Sequence, residues 1–269
     1  MTHGGASIVS FPGAGTSLER SGKELGWKLF PKEEDSDVDA AHAADDSQQD
    51  ALYPFQEATD LVPDQEDLPA ASRGRVFAAC VQTSLVLLVF AFLLRARAAT
   101  LSAALLHTDP EQVNRLLAFP DHVEIRHVAV ALGCAAIISG ARLLLLQKWP
   151  AFAEATDRSN QQVLQNLAPF DLVWVSFLPG ISEELLFRGA LIPSLYPDWR
   201  GVLIAGVGFG VLHKSGGRNW SFAGWASLVG TLYGFAYVQT QDIYVAMGAH
   251  SLANLVSASL WLQYRRKSD

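Results

Sequence analysis

Apolar residues fall along this chain in long blocks, and the blocks predict most of its elements. Val76 to Leu94 is a run of 19 residues without a charge, bracketed by Arg73 and Arg75 before it and by Arg95 and Arg97 after it. A helix of about 20 apolar residues crosses roughly 30 Å of hydrocarbon, so this run predicts a membrane span. Val128 to Leu146 predicts a second, with Arg142 near enough to one end to snorkel. Phe170 to about Tyr196 reads as a third. Gly201 to His213 is a short fourth whose glycines, Gly201, Gly206, Gly208 and Gly210, permit close helix approach. Trp220 to Val238 is a fifth, with aromatics toward both ends as membrane interfaces favour. Ile243 to Leu262 is a sixth, followed by Arg265, Arg266 and Lys267.

The stretches between these blocks are polar or mixed. Asp109-Pro110 predicts a helix start, Asp121 to His127 reads as interfacial or loop, and Lys148 to Asn166 as a solvent-side connection or surface helix. The fold class expected is all-α: a polytopic integral membrane helical bundle of about six to eight helices. Six spans put both termini on one side. The basic residues at 73, 75 and 265 to 267 agree with that side retaining positive charge, whereas Arg95 and Arg97 oppose it.

Charge changes the picture at the N-terminus. Residues 1 to 72 hold 15 of the 27 acidic residues and 4 of the 20 basic ones, which makes that part −11 and the remainder +4. From Glu33 to Pro69 there are 13 acidic residues and no Lys or Arg, too little apolar surface to offset chain entropy. Residues 1 to 72 are therefore expected to form a disordered acidic tail, its first part compatible with a targeting remnant. Residues 73 to 269 are expected to form the membrane domain. The pI near 5.5 reflects the tail, carries no argument about nucleic acid, and no nucleic-acid partner is expected. Cys80 and Cys134 both lie in apolar segments and read as small buried residues.

Three polar sets interrupt the apolar blocks. In Gly180-Ile-Ser-Glu-Glu-Leu-Leu-Phe-Arg-Gly189, two carboxylates and a guanidinium lie where ionised groups cost on the order of 3 kcal/mol each to insert. Glu184 and Arg188 are four residues apart, on one helical face, and can neutralise each other. Glu183 points roughly 100° away and is free for chemistry. Phe209-Gly-Val-Leu-His213 ends the fourth block, and His250-Ser-Leu-Ala-Asn254 puts two hydrogen-bond donors one turn apart on the sixth. A carboxylate and an imidazole sharing one water suit general acid and base work. A second His with an Asn suits an oxyanion, a contribution of about 2.7 to 4 kcal/mol per donor where it has been probed.

Glu183-Glu184-x-x-x-Arg188, Phe209-x-x-x-His213 and His250-x-x-x-Asn254, in that order over about residues 165 to 262, resemble the CAAX protease and bacteriocin-processing (abortive-infection) family, which includes the type II CAAX prenyl endopeptidases. The resemblance implies an intramembrane endopeptidase in which Glu183 and His213 activate water and His250 and Asn254 form the oxyanion site. Glu184 and Arg188 would hold the motif helix, and Phe209 would pack. It implies no required cofactor, a lipid bilayer as surroundings, and a peptide or protein substrate with or without a C-terminal prenyl group. The stretches Gly180 to Pro197 and Leu212 to Trp220 look most like the plant and algal plastid branch, which implies a plastid membrane, with the endoplasmic reticulum as the alternative.

Two other readings stay open on the residues. Glu183, His213 and His250 are the donor types of a zinc site with a water in its open position. A membrane scaffold or chaperone-like protein that kept the polar residues to lock its helices would carry the same pattern. His107, His122 and His127 lie in no motif and read as surface or interfacial.

Overall fold

A computed structural model describes residues 70–214 and 218–268. All but the last three residues of the expected acidic tail lie outside the described residues. The elements are helical: α1 Arg73–Arg95, α2 Ala98–Leu106, α3 Pro110–Leu117, α4 Ile125–Lys148, α5 Pro150–Leu164, α6 Asp171–Leu186, a π-helical turn Phe187–Leu191, α7 Ile192–Ser194, α8 Trp199–Leu212, α9 Trp220–Thr240 and α10 Ile243–Ser268. The expected all-α membrane bundle is what the chain forms.

Each of the six apolar blocks is largely helical, but they are not equivalent. Among the described residues, three helices are long and apolar enough to cross a membrane: Arg73–Arg95, Ile125–Lys148 and Ile243–Arg265. Only 17% of the apolar window of α1 is buried against 50% of that of α10, so α1 turns most of its surface outward while α10 is central. Leu85, Val89, Phe90 and Leu93 of α1 and Leu132, Ile137 and Leu144 of α4 are exposed, as side chains facing lipid would be. The expected third span is not one continuous helix. α6 passes into the π turn, Pro193 follows, and the chain leaves helical geometry at Leu195.

Local chemistry starts the helices where the sequence predicts. Asp109 accepts from the Glu111 N–H with Pro110 in the first turn of α3, and Asn219 accepts from the Phe222 N–H to open α9. The stretch after Lys148 is a helix that packs inward through Phe152, Ala153 and Leu164. His127, expected to be surface or interfacial, is part-buried at the start of α4. Its imidazole is bonded to the nearly buried Asp242 at 2.9 Å, and Asp242 also accepts from the Tyr244 N–H at the start of α10.

α8 packs on α9, α6 on α10 and on α1, and α4 on α10. The closest approaches are made by glycine. A Cβ on Gly206 would lie 2.3 Å from Thr231 Oγ1, and one on Gly210 would lie 1.9 Å from Ser227 Oγ and 2.4 Å from the Ala223 carbonyl. Ser227 and Thr231 return their hydroxyls to carbonyls one turn back in α9, so the facing surface is small and satisfied. Gly210→Ala is expected to force the two helices apart and cost about 1–3 kcal/mol. Denaturant unfolding in detergent measures this, and an unchanged midpoint would contradict the packing.

Candidate active site

The site is assembled by α6, the end of α8 and the middle of α10. Gly180 of α6 meets α10 so closely that a Cβ there would lie 2.4 Å from Ser251 Oγ. That contact sets the next turn of α6, carrying Glu183 and Glu184, beside His250.

Glu183 and Glu184 leave the helix in different directions, and their surroundings differ accordingly. Glu184 and Arg188 have no solvent exposure, and the expected i, i+4 pair forms at 2.9 Å. The same Oε1 of Glu184 accepts from Nδ1 of His250 at 2.7 Å, and Arg188 Nη2 donates to the Gly230 carbonyl of α9 at 2.8 Å. The guanidinium carbon lies 4.6 Å from the centre of the Phe209 ring and 5.7 Å from that of Tyr233. Aromatic faces thus stand where water would otherwise solvate the cation.

Glu183 keeps partial access to solvent. Its Oε2 lies 3.9 Å from Nε2 of His213 and 3.9 Å from Nε2 of His250. Both spacings exceed a direct hydrogen bond, and each allows one water to touch both groups. Glu183 of α6 is thereby brought to both imidazoles at once.

Each ring is fixed by its other nitrogen. Nδ1 of His213 is 2.7 Å from the Phe209 carbonyl, which can only accept, so Nδ1 carries the proton and Nε2 of the neutral ring offers a lone pair toward Glu183. Nδ1 of His250 is committed as donor to Glu184, so Nε2 can donate only when the ring holds both protons, with Glu184 as the buried counter-charge. The two histidines look alike in sequence and are set for different tasks. Asn254 lies one turn beyond His250 on α10, part-buried, and among the described residues its amide has no hydrogen-bond partner.

Several participants carry no signal in the sequence. Tyr233 stacks on His250 with ring centres 5.3 Å apart, and the Gly230 carbonyl takes one arm of Arg188. Both sit in α9, whose uncharged run gives no hint of them. Phe209 does more than pack: its ring lies 4.2 Å from that of His213 and its carbonyl fixes the tautomer. Arg218, in the connection after α8, donates from Nε to Ser159 at 3.0 Å. Burial lowers its pKa from the ordinary arginine value, and the Glu183 charge opposes that shift.

Among the described residues no group of three or more His, Cys, Asp and Glu side chains is arranged to hold a metal ion, the trio Glu183, His213 and His250 included. Cys80 and Cys134 are free thiols.

Residues 165–256 match the family described as Type II CAAX prenyl endopeptidase Rce1-like. The matched stretch contains Glu183, Glu184, Arg188, Phe209, His213, His250 and Asn254, so the family resemblance holds across the whole constellation. YpbD, an uncharacterised protein of Bacillus subtilis (strain 168), is 23% identical over 148 residues, covering 55% of this chain and 76% of that protein. No solved structure matches.

Proposed function

We propose that a chain with this family match, and with a half-open carboxylate held between two oriented imidazoles, is an intramembrane endopeptidase that hydrolyses a peptide bond with an activated water. The observation that carries the reading is the equal approach of His213 and His250 to Glu183, from two other helices, at 3.9 Å. A water between Glu183 and His213 gives one proton to the carboxylate and hydrogen-bonds through the other to Nε2 of His213. Its oxygen attacks the scissile carbonyl. Nε2–H of a doubly protonated His250 and the amide of Asn254 donate to the resulting oxyanion. Glu183 then returns its proton to the departing amine nitrogen, and the carboxylate is restored.

Glu184, Arg188 and the Gly230 carbonyl hold His250 in place without touching the substrate. This scheme uses no metal, and the substrate is a peptide or protein with or without a C-terminal prenyl group. The membrane domain begins at the start of α1, and a plastid membrane is its proposed location, resting on the likeness of residues 180–197 and 212–220 to plant and algal members.

The test is cleavage, in detergent or nanodiscs, of a panel of C-terminal peptides made with and without an isoprenyl group. The wild type is expected to cut at least one class, and His213→Ala to reduce the rate by about 10²–10⁴-fold. A chelator is expected to leave the rate unchanged. Loss of activity restored by added zinc would replace the water-activation scheme with a metal one. No cleavage of any peptide, with full function in vivo of the Glu183→Gln protein, would favour the scaffold reading.

A further inference from the structure

The guanidinium of Arg95 is a cation half-buried in the bundle, and among the described residues no carboxylate pairs with it. By its sequence position it looks like a flanking charge of the first span. In the structure it turns inward, with Nη1 donating to the Gly189 carbonyl and Nη2 to the Leu117 carbonyl at the end of α3, and with its guanidinium carbon 4.4 Å from the centre of the Phe119 ring. Arg95 therefore directs its guanidinium into the bundle.

The Gly189 carbonyl needs such a donor for a reason written into the chain. In an α-helix its partner would be the N–H of residue 193, and residue 193 is proline, which has none. The chain around it is already displaced from α-helical register: Phe187–Leu191 form a π turn in which the Ile192 N–H reaches back to the Phe187 carbonyl. Gly189 is also where the guanidinium needs room. A Cβ there would sit 3.0 Å from Nη1 of Arg95 and 3.2 Å from Leu185 Cδ1. Arg188, the anchor of Glu184 and through it of His250, lies inside this π turn.

We propose that Arg95 is a positioning residue for the reaction: it caps the carbonyl that Pro193 orphans, holds the π turn in register, and so sets Arg188, Glu184 and His250 for the chemistry at Glu183. Its second arm ties the same turn to α3, whose Leu116 carbonyl also accepts from the Tyr237 hydroxyl. A point cation cannot do this as well. A lysine has no planar fork with which to serve two carbonyls from different elements at once. The proposal rests on the endopeptidase reading for its consequence and on backbone chemistry for its cause.

The proline supplies a direct test. In Arg95→Gln, kcat on a cleaved peptide is expected to fall about 10- to 100-fold, the scale of a small misplacement of catalytic groups, with KM within about threefold. Adding Pro193→Ala to that variant gives the Gly189 carbonyl an N–H of its own and is expected to recover most of the lost rate. Arg95→Lys is expected to fall between the two. Hydrogen exchange of the full chain in nanodiscs reads the same lock without any substrate: amides over residues 183–195 exchange faster in Arg95→Gln and return toward wild type with Pro193→Ala.

If the wild type cuts no peptide, the endopeptidase reading falls and the exchange result still decides the lock. Gly189→Ala crowds the same guanidinium and replaces Arg95→Gln should that protein not fold. Unchanged exchange over 183–195 in Arg95→Gln, or a rate and exchange that Pro193→Ala fails to restore, would overturn the proposal.

Discussion

Glu183→Gln is expected to lower peptide cleavage by about 10²–10⁴-fold while leaving the thermal unfolding midpoint where it was. The substitution keeps the shape of the side chain and removes its ability to take a proton. Little else should change, because Glu183 is partly open to solvent and both imidazole Nε2 atoms lie 3.9 Å from it, beyond a direct hydrogen bond. No buried partner is orphaned. Rate and melting should be measured on the same detergent preparation. Undiminished cleavage would remove Glu183 from the mechanism, and a large fall in stability would recast it as a structural carboxylate.

The neighbouring carboxylate should behave in the opposite way. Arg188→Met removes a guanidinium that is fully buried, and leaves Glu184 with His250 as its only partner and the Gly230 carbonyl with no side-chain donor. Breaking one side of a buried pair costs about 3–5 kcal/mol, a large share of the roughly 5–15 kcal/mol that holds a typical domain folded. Unfolding of the variant in detergent should show that loss. Adding Glu184→Met should recover much of the stability, because the uncompensated charge goes with it, and should recover no activity, because His250 has then lost its orienting carboxylate. A single substitution costing under about 1 kcal/mol would mean that the pair is solvated, in conflict with its burial. On the proposed mechanism, two adjacent glutamates thus separate into one that works on the substrate and one that holds the machinery.

The difference between them is half visible in the chain. Spacing of four places Glu184 and Arg188 on one face, and the pair forms as spacing predicts. The same rule sends Glu183 elsewhere without saying what it meets. The apolar runs behave similarly: Val76 to Leu94 and Val128 to Leu146 lie inside Arg73–Arg95 and Ile125–Lys148, because a block long enough to cross lipid must satisfy its backbone internally as a helix. The third block was less legible. Its break comes from Pro193 and the π turn, and a hydropathy pattern carries no record of backbone register.

By itself, then, the sequence determined the long helices, the three polar sets and their order, and the Glu184–Arg188 pair, since each depends on residues within a turn or a run of one another. Tertiary structure alone decided that His250 binds Glu184, that Tyr233 stacks on His250 and the Gly230 carbonyl takes Arg188, and that Arg95 points inward to Gly189. These contacts join residues as much as 94 positions apart. They exist because glycines at 180, 206 and 210 let helices approach closely enough to choose each other's partners, and crossing geometry of that kind is a property of packed surfaces that no local spacing encodes.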